Sequence, residues 1–190
     1  MFSDNFLEKV IESITKINIL NIEKIVDILF DIRKYNGRLF IIGSGGGAGH
    51  ASHAVCDFRK LCNIESYAPY DNVSEITARA NDEGFDTTII EWLRVSNFNQ
   101  KDCLFVLSVG GGTDIVSQNI VKALYFAQSM DAKIIGIVGR DGGITRNVAD
   151  ACVLIETKEF VTPITEGIQS VILHLLCSHP QLQINKTKWV

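Results

Sequence analysis

Short apolar runs that stop abruptly in glycine, each followed by a helical pattern, constrain this chain more than any other feature. Leu39–Ile42 runs into Gly43-Ser44-Gly45-Gly46-Gly47, and Leu104–Ser108 runs into Val109-Gly110-Gly111-Gly112-Thr113. An apolar run that short, without polar alternation, fits a strand covered on both faces. Residues 64–68, Lys133–Val138 and Ala151–Ile155 read as further strands. Helical spacing is predicted over 48–60, 72–80, 84–96, 115–130 and 163–178. Strands alternating with helices make an α/β domain: a central, mostly parallel sheet flanked by helices.

Two more helices precede the first strand. Residues 4–17 place Phe6, Leu7, Val10, Ile11, Ile14 and Ile17 at helical spacing. Residues 21–34 follow, with Asn21 as the expected N-cap. Ile22, Ile25, Val26, Ile28, Leu29, Phe30 and Ile32 give that second helix an apolar surface too wide for one solvent face. It is expected to be covered by its own domain and by another subunit. Residues 1–36 are therefore read as N-terminal helices of the same domain as 37–190, and a chain of 190 residues suits one domain.

Several function classes are disfavoured. The net charge is −4 and the basic residues are scattered, so no nucleic-acid footprint forms. No apolar stretch approaches the roughly 18 residues of a membrane span. Asp4 and Glu8 stand where a secretory signal carries basic residues, so a cytoplasmic location is expected. The five cysteines include no Cys-x-x-Cys pair and read as reduced thiols, with Cys103, Cys152 and Cys177 in apolar runs. Nothing near Cys56 or Cys177 would lower a thiol pKa as a nucleophile requires.

Ligands of open α/β sheets bind beyond the carboxyl ends of strands, which is where both glycine clusters fall. Glycine lets the backbone approach a ligand, and the following helix offers free N–H groups to an anion. Gly139-Arg140-Asp141-Gly142-Gly143, at a third strand end, reads as a turn. The first cluster also fits a dinucleotide fingerprint loosely, as Gly43-x-Gly45-x-x-Ala48 with Glu65 beyond. No Gly-Lys-Ser/Thr follows either cluster, which excludes a Walker loop. His53 and Asp57 share one helical face, and Glu166, Ser170 and His174 share another. If those helices meet, four ligand-type groups converge. His50 and His179 read as surface residues.

These segments, in this order, resemble one family. Gly43–Asp57 (GSGGGAGHASHAVCD) is similar to the GNGGSAADAxHxAxE segment of the phosphoheptose isomerases in the SIS (sugar isomerase) family. Asn81-Asp82-Glu83-Gly84-Phe85 resembles that family's NDYGY, Ser108–Gly111 stands where it has STSG, and Gly139–Gly143 matches GRDGG. Glu166–His174 resembles its closing helix.

The resemblance implies a single SIS-type domain whose N-terminal helices serve oligomerisation, as a homotetramer. It implies a sugar-phosphate substrate contacted by Ser44, Gly45 and Gly46, by Asn81 and Asp82, and by Ser108, Val109 and Gly110. Ser117, or Thr113 in its place, completes the phosphate loop. Asp57 and His174 fall on the catalytic positions, and His53, Asp57, Glu166 and His174 on those that hold zinc. The implied reaction is isomerisation of D-sedoheptulose 7-phosphate to D-glycero-D-manno-heptose 7-phosphate, for nucleotide-heptose and surface polysaccharide synthesis. Departures are visible: Gly47 replaces a serine, Val109 and Gly110 remove two hydroxyls, the second loop is longer, Asp57 replaces Glu and Glu166 replaces Gln. The alternatives are a non-catalytic SIS module that binds a sugar phosphate or a protein such as a replication initiator, and a dinucleotide-binding domain.

Overall fold

The computed structural model describes residues 1–186. The elements, in chain order, are α1 (Phe2–Thr15), α2 (Ile19–Lys34), β1 (Leu39–Gly43), α3 (Gly46–Cys62), β2 (Ser66–Tyr67), α4 (Val73–Asp82), α5 (Thr88–Val95), β3 (Cys103–Ser108), α6 (Gln118–Ser129), β4 (Lys133–Gly139), α7 (Gly143–Val148), β5 (Ala151–Ile155) and α8 (Val161–Ser178). Short 3-10 turns at Pro69–Asp71 and Phe85–Thr87 precede α4 and α5. The sheet is parallel throughout, in the order β2-β1-β3-β4-β5.

The central strands are buried because side chains of alternate residues enter two separate cores. Leu39, Ile41, Phe105, Leu107, Ile135, Ile137 and Val153 pack with α2, α3 and α8. Phe40, Ile42, Leu104, Val106 and Ile134 pack with α5 and α6. Both faces being apolar is what removes the polar alternation from the strand sequences. At the amino ends of β1 and β3, Asp102 is buried and accepts from Arg38 Nε (3.0 Å) and Nη2 (2.7 Å) and from the Asn99 N–H (3.0 Å).

The structure refines several of these expectations. The N-cap of α2 is Asn18, whose Oδ1 accepts from the Leu20 N–H at 3.0 Å, so the helix starts before Asn21. Its Ile22, Ile25, Val26, Leu29 and Ile32 are buried within this chain, Ile28 and Phe30 are half-buried, and Ile19 and Leu20 are exposed. The α1 helix also exposes apolar groups, Phe2, Leu7, Ile11 and Ile14. The helix expected from residue 115 begins at Gln118, because Ser117 takes a left-handed backbone (φ 59°) and Thr113–Val116 closes a turn. Gly142 and Gly143 do turn the chain, but they lead directly into α7. Among the described residues no helix is long and apolar enough to cross a membrane.

Candidate active site

From β1 the chain passes outward to β2, and from β3 it passes the opposite way to β4 and β5. The crevice of such a sheet lies where the two directions part, at the carboxyl ends of β1 and β3. Gly43 is level with Leu107, so the two glycine loops leave the sheet side by side.

The first loop turns into α3 through Gly45 (φ 58°, ψ −125°). A Cβ on Gly47 would stand 2.3 Å from the Leu107 carbonyl oxygen. The close approach of α3 to β3 therefore accounts for glycine where the resembling family has serine. Glu166, on α8, reaches the same turn: a Cβ on Gly46 would lie 2.5 Å from its carboxyl carbon. That places an acid at the positive end of α3.

The second loop is moulded by the chain after β4. Gly139 N–H donates to the Val109 carbonyl (3.0 Å), and Ile144 N–H to that of Gly112 (2.9 Å). Thr145 donates to the Gly111 carbonyl through its N–H (3.0 Å) and through Oγ1 (2.7 Å). The Gly111 N–H donates to Ser108 Oγ at 3.0 Å. Gly111, at φ 68°, lies so close to Gly142 that a Cβ would stand 1.9 Å from the Gly142 carbonyl oxygen. With these carbonyls accepting bonds from the 139–145 segment, the loop's path is fixed on that side. Thr113 and Ser117 both line a cavity of about 460 Å³, with Gly110, Gly112, Val116, Arg140 and Asp141. Thr113 Oγ1 already accepts from the Val116 N–H (3.0 Å), whereas the Ser117 hydroxyl has no hydrogen-bond partner among the described residues.

Farther along α3 from the first loop, α3 and α8 pack together and bring three side chains to one point. Asp57 Oδ2 lies 3.2 Å from His53 Nε2 and 3.6 Å from His174 Nε2, and the two ring nitrogens are 3.1 Å apart. The histidine side chains are more than half exposed and Asp57 is mostly covered, so the cluster opens to solvent from a fixed floor. The fit to zinc is good for these three. With bonds of about 2.0–2.1 Å, two ligands of a tetrahedral zinc ion stand roughly 3.3 Å apart, and two imidazoles with one carboxylate leave an open position. Glu166 is not gathered with them. It sits two turns before His174 on α8, about 12 Å along the axis, and its carboxylate rests on Gly46. The four-ligand set expected from the sequence is therefore three groups together and one apart.

Asn81 and Asp82 are exposed at the end of α4, where Asn81 Nδ2 donates to Asp82 Oδ1 at 2.6 Å. That helix packs on the Phe85–Thr87 turn, on α5 and on the Pro69–Asp71 turn. Two expected surface histidines are half-buried. His50 Nδ1 is covered and unpartnered, and His179 Nε2 lies 3.5 Å from Glu23. None of the cysteines is paired; Cys62, Cys103 and Cys177 are buried and burial pushes the Cys152 thiol up to about 12.

Sequence reading missed Tyr70 and Asn119. The Tyr70 hydroxyl donates to the Gly43 carbonyl at 2.5 Å, under the first loop. Burial pushes its pKa up to about 12, with Ser44 and Asn119 near enough to oppose that shift. Asn119, second residue of α6, is 1% exposed and its Nδ2 has no partner of good geometry. Only tertiary structure joins these three, because β2 brings the chain before Tyr70 alongside β1.

Comparison with known proteins shows the family and the fold. A family model described as the SIS domain matches residues 4–139. A phosphoheptose isomerase of Helicobacter hepaticus is 32% identical over 162 residues, covering 82% of this chain and 79% of that protein. The solved phosphoheptose isomerase of Neisseria gonorrhoeae superposes with a TM-score of 0.80, over 93% of this chain and 95% of that one, at 23% identity. That of Francisella tularensis gives 0.78, over 93% and 92%, at 21% identity. At such identities the two structures speak for the shared fold.

Proposed function

The chain belongs to the SIS domain family, and from that premise we propose that it is a sugar-phosphate isomerase, converting D-sedoheptulose 7-phosphate to D-glycero-D-manno-heptose 7-phosphate. The observation that carries this reading is the meeting of His53, Asp57 and His174, two of them on α3, the helix that follows the first glycine loop. The product would enter nucleotide-heptose and surface polysaccharide synthesis.

The phosphate belongs at the second loop, held by Ser108, by Ser117 and by the N–H groups of Gly110–Gly112, with the Gly111 N–H, which now donates to Ser108 Oγ, turned to the ligand. The sugar hydroxyls belong at the first, on Ser44–Gly46. Charge supports this division, since the Glu166 carboxylate against Gly46 repels a phosphate from the first loop. Aldose–ketose isomerisation takes a proton from C1 of the ketose and returns one to C2, while a hydroxyl proton moves from O1 to O2. Asp57 and His174 are the acid–base pair for these transfers, held at the 3.6 Å spacing that packing of α3 on α8 imposes. Zinc, which His53, Asp57 and His174 would hold, supplies polarisation of the substrate oxygens when bound. Asn81 and Asp82 are further proposed substrate contacts, exposed at the end of α4.

A homotetramer is part of the proposal. Leu7, Ile11 and Ile14 on α1, with Val171 and Leu175 flanking His174 on α8, are exposed apolar groups that a second copy would cover. Sedimentation showing a stable monomer at micromolar concentration would refute it.

The functional test is incubation with sedoheptulose 7-phosphate, with and without zinc, and detection of an aldose phosphate. Formation of the aldose supports the reading. A protein that is stabilised by sugar phosphates but yields no aldose in either condition is instead a non-catalytic binding module, an outcome for which the loss of hydroxyls at Val109 and Gly110 provides a motive.

A further inference from the structure

We propose that Arg140 binds the substrate phosphate, supplying from the end of β4 the donors that the second loop lacks. The proposal rests on the sugar-phosphate reading above and adds a residue to it. Arg140 lines the cavity of about 460 Å³ that Gly110, Gly112, Thr113 and Ser117 also line. It is the arginine with no hydrogen bond or ion pair among the described residues. Arg38, Arg79 and Arg94 meet carboxylates, and Arg33, Arg59 and Arg146 donate to carbonyls. A planar guanidinium is the side chain best matched to two phosphate oxygens at once.

The backbone points the same way. Among the described residues seven non-glycines have positive φ, and four of them are Asn or Asp, which tolerate it. The other three are Ser117, Arg140 and Phe160, and the first two line this one cavity. Side-chain-bearing residues held in that conformation gather where function requires them. Arg140 is fixed there by its neighbours, since the Gly142 N–H donates to the Gly139 carbonyl (2.9 Å) and the Gly143 N–H to Asp141 Oδ1 (3.2 Å). The second bond occupies one oxygen of Asp141, the carboxylate in the same cavity, at its edge nearest the backbone. On its other side Arg140 borders a separate cavity of about 470 Å³. The Lys9 and Lys16 ammonium groups there are already paired with Glu12 and Glu159. Val109 and Gly110 offer a phosphate no side-chain hydroxyl, and an unpaired cation stands at the rim of that loop.

The test titrates inorganic phosphate and sedoheptulose 7-phosphate against wild type, Arg140→Gln, Arg140→Lys and, as a control from the neighbouring cavity, Lys158→Gln. Binding is read by calorimetry and by thermal shift. Arg140→Gln should weaken phosphate affinity about tenfold, the scale of a lost charge-assisted contact. Arg140→Lys should recover part of it, Lys158→Gln should match wild type, and without ligand all four should melt together. KM for the sugar phosphate should rise with kcat little changed. If Arg140→Gln binds phosphate like wild type, Arg140 is not a ligand and the sugar-phosphate reading stands. If Arg140→Gln melts well below wild type without ligand, its role is structural and the proposal is overturned. If wild type binds neither ligand, both the proposal and the reading beneath it fall.

Discussion

The two central glycines of the second loop should respond to substitution in opposite ways. Gly111 has a positive φ and lies so near Gly142 that a Cβ would stand 1.9 Å from its carbonyl oxygen. Gly110, one residue earlier, has no positive φ and open space for 4 Å around the same atom. Gly111→Ala carries the left-handed backbone cost of roughly 1–2 kcal/mol and an overlap with backbone worth about 1–3 kcal/mol. A loss near 3 kcal/mol lowers Tm by roughly 6–12 °C in a domain of this size. Relief of the overlap also pulls Thr145 from the Gly111 carbonyl. Gly110→Val keeps the fold and narrows the cavity, so Tm should stay within about 2 °C while KM for the sugar phosphate rises. Urea and thermal unfolding, with KM for each variant, read both effects. A Gly111→Ala protein as stable as wild type would refute the packing of the loop on the 139–145 segment.

Two further outcomes follow from the site. Tyr70 is raised to about 12 by burial, so its neutral form is the one the fold favours. That contribution is complete below pH 10 and is lost as pH rises toward 12, by at most about 2.7 kcal/mol. Tyr70→Phe should lose about 1 kcal/mol at pH 7 with the Gly43 bond and show less of the alkaline decline in urea unfolding. An equal decline in both proteins would contradict the assignment. Asp57→Glu adds one methylene, about 1.5 Å, to a carboxylate already 3.2 and 3.6 Å from two ring nitrogens. The rings must part, and kcat should fall about ten- to a hundredfold; a rise would mean that the helices adjust freely.

Much of this arrangement is legible in the chain itself. Leu39–Ile42 and Leu104–Ser108 announce buried parallel strands because both faces are apolar, and their glycines announce the strand ends. The His53–Asp57 spacing reveals one helical face, and the Glu166–His174 spacing another. What the sequence hides depends on contacts between distant segments. Gly139–Gly143 is the turn it looks like, but its service as the mould of the second loop appears only when β3 and β4 pair. Asn21 looks like a cap as good as Asn18, and local sequence does not choose between them. Glu166 shares a helical face with His174, yet its distance along that face takes it to Gly46 instead. Tyr70 and Asn119 carry no local signal at all.

The central claim is that Asp57 and His174 perform the proton transfers while the phosphate is held elsewhere. The direct measurement is kcat with sedoheptulose 7-phosphate for wild type, Asp57→Asn and His174→Gln, beside the thermal shift that inorganic phosphate gives each. Each variant should lose roughly 10²-fold or more in kcat, the usual scale for a positioned acid or base, and should keep the wild-type phosphate shift. Turnover at the wild-type rate by both variants would contradict the account.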